Sequence, residues 1–234
     1  MTMPRLCLLA AAALVGGCST PPDHFHTLRP AVAPAPASAR EAPPVLAIGP
    51  VTVPDSLARD EWVIRNGDTG AMVYDHQLWT QSLSADVAQA LADYLDRGSL
   101  PDGLWADAGP TGSGSGTDLG RPAPLRVRVQ VLRFDSMLSP GPAVADQVRW
   151  TIECLPSDPA LGPVDAGRYR VVRTAMRDAA GPAPAADTGA DESQRRFERV
   201  ARAHSDTVRL VAEDIAAALR ASAAERAHSC VPAR

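Results

Sequence analysis

The chain contains no lysine; all 23 of its basic residues are arginine. Set against 27 acidic residues, this gives a formal charge of −4. That balance argues against a general nucleic-acid binder, whose footprint is basic. Missing lysine with abundant alanine, glycine and proline reads as coding bias from a GC-rich genome. No segment reaches the roughly 18 consecutive apolar residues that a membrane helix needs. Cysteine is scarce, at four residues, with no CxxC pair and no Cys/His cluster, so a zinc or thioredoxin-like site has almost no support. There is no GxSxG elbow, no HExxH and no Walker A lysine. The glycine-serine run before Thr117 and Asp118 therefore cradles no phosphate. His24 and His26 sit near the N-terminus as a weak metal signal and are expected to be solvent-exposed. Asp135 reads as a turn residue. Nothing forms a catalytic constellation; the chain is read as a non-enzyme with no cofactor and no metal.

What is present begins at the N-terminus. Arg5 precedes an apolar run from Leu6 to Val15, followed by Gly16, Gly17 and Cys18. A basic start, a short apolar middle and small residues make a secretory signal. A branched apolar residue, two glycines and a cysteine make it a bacterial lipobox. The Cys18 thiol is expected to carry diacylglycerol, with palmitate-type chains, and to become the first mature residue. Such a chain is anchored to a bilayer rather than spanning it. Ser19 is not the aspartate that favours inner-membrane retention, so the expected address is the outer membrane, periplasmic face. Loss of Arg5 with the signal takes the formal charge to −5. In that oxidising compartment Cys154 and Cys230 are an even pair available for a disulfide.

Composition divides the chain into a signal peptide (1–17), a lipidated Ala/Pro-rich tether (18–44), one α+β domain (45–225) and a C-terminal tail (226–234). The tether lacks the apolar content to fold and is stiffened by proline. Stretches near 109–122 and 179–191 read as flexible loops. Val45 to Val53 reads as a central strand. Glu61–Arg65 and Ala71–Tyr74 read as short strands joined at Asn66-Gly67, a hairpin signal. Leu83, Val87, Leu91 and Leu95 recur at helical spacing, predicting a helix from about Thr80 to Asp96.

Leu125 to Val131 alternates strictly between apolar and polar residues, a half-buried strand. Val148 to Cys154 and Gly167 to Met176 supply two more, in an antiparallel meander. The last element is a helix over about Glu192 to Ala221, with a stripe through Phe197, Val200, His204, Val208, Val211, Ile215 and Leu219. His204 reads as a stripe-edge residue in preference to a pH switch or ligand. The expected fold is α+β: a mostly antiparallel sheet with two helices packed on one face.

Several motifs then fall in order. His24-Phe25-His26-Thr27-Leu28 is similar to an aromatic "YYTL" start. Ile48 to Arg59, through Pro50, Pro54 and Leu57, is similar to an "igpv.lP.yL.R" motif. Tyr74 to Trp79 precedes a helix, and Val131 to Asp135 is followed by Val148-Arg149-Trp150. Together they resemble the PqiC-type family of ABC transport auxiliary lipoproteins. The resemblance implies a non-enzymatic outer-membrane component working with an MCE-domain membrane protein and an ABC permease and ATPase. The implied cargo is phospholipid or another hydrophobic molecule. It also implies a homo-oligomer, which Arg126 and Arg128 could line. Pro54, Asp55, Arg59, Trp62 and Trp79 are the candidate partner or self-association surface, since arginine and tryptophan serve as interface anchors; the alternative is that both tryptophans are core aromatics, the preferred reading for Trp79. A second reading is a lipoprotein activator of a peptidoglycan synthase, suggested by the long tether.

Overall fold

The computed structural model describes residues 21–30, 45–97, 100, 104–108, 125–154, 172–182 and 192–221. Their elements run β1 (His24–His26), β2 (Val45–Thr52), β3 (Glu61–Asn66), β4 (Gly70–Trp79), α1 (Leu83–Asp96), β5 (Trp105–Asp107), β6 (Leu125–Met137), β7 (Ala143–Cys154), β8 (Val172–Pro182) and α2 (Glu192–Ala221), with a short 3-10 turn at Asp55–Leu57. Both helices and the β6–β7 pair form where the periodicity places them, while β8 runs Val172–Pro182 against an expected Gly167–Met176, of which 167–171 lie outside the described residues. Among the described residues no helix is long and apolar enough to cross a membrane.

The sheet departs from expectation. It has eight strands, and β6 is its spine. One edge of β6 is taken by β7, antiparallel along its whole length. The other edge is shared: β2 runs parallel to Leu125–Gln130, and β3 runs parallel to Ser136 and Met137. Two more parallel pairs, β1 with β4 and β2 with β5, make four of seven pairings parallel. The expected mostly antiparallel sheet is therefore not what forms. Chain neighbours invite hairpins, but β2 reaches β6 only after a crossover through α1, and a crossover returns the chain in the same direction.

Three register shifts decide which residues face the core. In β6, Leu125, Val127, Val129 and Val131 face inward. Continued alternation would then bury Arg133 and Asp135. A shift between Val131 and Arg133 against β7 leaves Leu132 over, and Phe134 and Ser136 become the buried residues instead. In β2 a similar shift between Ile48 and Val51 spans Gly49, whose φ of 121° is a conformation that suits glycine. The third lies between Glu61 and Trp62, where β4 carries the extra residues. The β3–β4 turn uses Gly67 at φ 67°, in the left-handed region the Asn66-Gly67 signal anticipates. β4 extends well past Tyr74, to Trp79. β8 includes Ala179–Pro182, which composition had assigned to a loop.

The helices cover one face of this sheet. Val87 and Leu91 of α1, Val208 and Val211 of α2, and Val131, Phe134 and Val148 of the strands meet at one point of the core. The whole α2 stripe is buried, and so is Leu28, from the segment read as tether. On the opposite face of β6 lie Arg126, Arg128 and Gln130, where the Arg128 guanidinium meets Glu153 at 2.9 Å.

Candidate functional site

The N-terminal segment is not a free tether where it meets the domain. Residues His24–His26 pair in parallel with Gln77–Trp79 at the edge of the sheet, and the Thr80 amide donates to the His26 carbonyl at 2.9 Å. Alternation along three residues half-buries His24, exposes Phe25 and buries His26. His26 is therefore not solvent-exposed: its ring packs edge-on against Trp62 at 4.6 Å, and its Nε2 lies 2.7 Å from Gln77 Oε1. Burial pushes the imidazole pKa below its ordinary value, opposed by the Gln77 contact. Before the strand, Asp23 meets His76 at 2.9 Å.

Beyond the strand, two acids of α1 fasten the chain. Asp86 accepts from the Leu28 amide at 2.7 Å, from the Thr27 hydroxyl at 2.9 Å and from Gln81 Nε2 at 3.2 Å. Burial raises its pKa, and those three donors hold it back. One further turn pair along, Asp93 takes the Arg29 guanidinium at 2.7 Å, which raises the arginine's pKa further. From α2, the Ser205 hydroxyl donates to the Leu28 carbonyl at 2.8 Å, and its oxygen in turn receives Tyr94 O–H at 2.7 Å. Leu28 is fully buried among these groups. Residues 23–29 thus form a strap clasped by β4, α1 and α2.

A groove of about 470 Å³ opens beside the strap. Phe25, Arg29, Arg97, Glu198, Arg202 and Asp206 line it. Phe25 is the most exposed large apolar side chain described, at 63 %, and Arg97 lies over the Tyr94 ring at 6.0 Å.

A second polar constellation sits in the core. The Trp62 indole N–H donates to Ser136 Oγ at 2.8 Å. Ser136 Oγ and His204 Nε2 are 2.8 Å apart, and His204 Nδ1 lies between the two Asp146 oxygens at 2.9 and 3.0 Å. Donors assigned from the indole outward run Trp62, Ser136, His204, Asp146, with the proton of His204 on Nδ1. His204 also stacks on Phe134 at 3.8 Å. It is fully buried rather than at the edge of its stripe. A Ser–His–Asp order suggests nucleophilic catalysis, but Ser136, His204 and Asp146 are all buried. Its hydroxyl is also spent on Trp62 and His204. The row is a core lock that pairs buried polar groups with one another and leaves Asp146 Oδ1 without a hydrogen bond.

The candidate partner surface splits. Trp62 and Trp79 are buried, at 2 % and 5 % exposure, their rings tilted by 40° with centroids 4.6 Å apart; they are core aromatics and not surface anchors. Asp55 and Arg59 are exposed and Pro54 half-buried, with Arg59 3.8 Å from Glu61. Cys154 closes β7, while Cys18 and Cys230 lie outside the described residues, as do 109–122 and the tail. The signal that could have revealed the strap was Asp86 and Asp93, two acids seven residues apart on the apolar side of α1.

The model of the ABC-type transport auxiliary lipoprotein component family matches residues 26–216. No curated protein matches the chain by sequence. Among solved structures, an uncharacterized protein is similar at 15% identity with a TM-score of 0.54, covering 83% of this chain and 99% of its own. A DUF330-family protein from Xanthomonas campestris is similar at 13% identity with a TM-score of 0.52, covering 88% and 99%. These likenesses speak for the fold.

Proposed function

The chain belongs to the family of ABC-type transport auxiliary lipoprotein components, and on that premise we propose that it is the lipid-anchored, outer-membrane component of an MCE/ABC system that moves phospholipid or another hydrophobic molecule between membranes. The observation that carries the reading is the match over residues 26–216, which starts inside the strap and takes in α1, every longer strand and all but the last turn or so of α2. The lipobox at Cys18 supplies the anchor. Partners are the MCE-domain protein and the permease and ATPase of the same system. The contribution is positional: lipid fixes the domain, and an exposed surface receives the partner. That surface keeps Pro54, Asp55 and Arg59 and gives up the two buried tryptophans. The synthase-activator reading leaned on a long tether, and the clasp at residues 23–29 removes most of that length.

Affinity capture from membranes of the native host tests the proposal. Full-length protein should bring down the MCE-domain protein of the same genome, and Cys18→Ala should leave the membrane fraction. Recovery of a cell-wall synthase in place of the MCE protein would overturn the assignment.

A further inference from the structure

The clasp changes how far the domain can stand from its bilayer. Lipidated Cys18 is five residues from Asp23 and seven from Phe25. At most about 3.6 Å per residue, the strap begins within ~18 Å of the lipidated residue and Phe25 within ~25 Å. The stretch 31–44 lies after the clasp and adds nothing to this reach. The strap face of the domain is therefore held within about 25 Å of the lipidated residue.

We propose that this face binds the phospholipid bilayer that anchors it, with Phe25 entering the interface and Arg97 and Arg202 meeting lipid phosphates. The inference rests on lipidation of Cys18. Phe25 is an aromatic held outward by a strand whose neighbours on both sides turn in, an arrangement that core packing does not require. Exposed apolar side chains rimmed by polar groups mark interaction surfaces, and guanidinium groups suit phosphate geometry. The groove beside Phe25 carries charges of both signs: Arg29, held by Asp93, with Arg97 and Arg202, against Glu198 and Asp206. That mixture matches a zwitterionic headgroup, phosphate on the arginines and amine on the acids, better than a purely anionic surface. A protein partner on this face would have to share the narrow gap left by the short lead to Cys18.

The test uses the full lipidated chain carrying Phe25→Trp, in phosphatidylethanolamine vesicles whose lipids are brominated near the headgroup. The parent's own tryptophan signal is subtracted. The added emission should be quenched at least twofold. Arg97→Glu with Arg202→Glu, both at exposed positions, should restore most of it with an unchanged melting temperature. Emission that brominated lipid leaves unquenched overturns the inference, and so does quenching that survives the charge reversal. Mass spectrometry of the N-terminal peptide separates the two levels. A peptide without lipid on Cys18 defeats the anchoring reading and this one with it. A lipidated peptide with no quenching defeats this one alone.

Discussion

The strap and the core row are both built from buried polar groups, yet they hold the molecule in different ways. The row of Trp62, Ser136, His204 and Asp146 ties β3, β6, β7 and α2 together inside the apolar core. Removing one member leaves the others desolvated within packed structure, so its loss is felt everywhere. The strap ties seven residues along the edge of the sheet, with His26 and Leu28 reaching into the core. Its bonds to Asp86, Asp93 and Ser205 hold a short edge segment, whose opening is expected to break fewer contacts than loss of the row. Similar hydrogen bonds thus yield a global lock in one place and a local clasp in the other, because the surrounding burial differs.

The largest break in that contrast comes from His204→Ala. It strands the Asp146 carboxylate in the core without its donor, a penalty of about 3 kcal/mol or more for a charged group. Thermal melting should fall by roughly 10 °C with loss of the whole fold's cooperativity. Asp86→Ala comes next. It leaves the buried Leu28 amide without its acceptor, a penalty of about 1–3 kcal/mol. Hydrogen exchange should quicken at residues 27–29, with amides of β6 unmoved. A matching fall in β6 protection would mean that strap and core are one unit.

Acid gives a subtler probe. His26 has a lowered pKa in the fold because of burial, so the unfolded strap takes up protons first. Its contribution to stability is complete above the ordinary histidine value of 6.5 and declines as pH falls through that value toward the folded one. Asp86, raised by burial, acts in the opposite sense and in more acid solution: its contribution is complete below the ordinary value of 3.8 and declines as pH rises through its folded pKa. Strap protection measured from pH 8 to 5 should therefore weaken, and His26→Gln should flatten the profile. The smallest effect on stability is expected from Arg59→Glu, within about 0.5 kcal/mol as for other exposed positions. On the proposed function it should still reduce capture of the MCE-domain partner, and undiminished capture would move the partner surface elsewhere.

Sequence periodicity made α2 and the β6–β7 pair legible because both bury one continuous face. It failed at the register shifts. Strict alternation through Leu125–Val131 predicts Arg133 inside, and only the extra residue at Leu132 turns Ser136 toward His204. The parallel pairings were hidden because they join strands far apart in the chain. The strap was hidden by composition: proline and alanine on its C-terminal side mark a tether, and three strand residues carry too little pattern to stand out. Trp62 and Trp79 read as candidate surface anchors because they lie outside the clean core periodicity, with Trp62 near Pro54, Asp55 and Arg59. Within β3, Trp62 alternates in phase with buried Ile64, and both face the core.

The central claim is that residues 23–29 belong to the domain and leave only a short lead to Cys18. Amide hydrogen exchange at Leu28 in the full lipidated protein tests it most directly. The account predicts protection at least a hundredfold above that of an open chain, dependent on Asp86, since this amide is buried and bonded to that carboxylate. Exchange at the open-chain rate would contradict it and return the segment to a free tether.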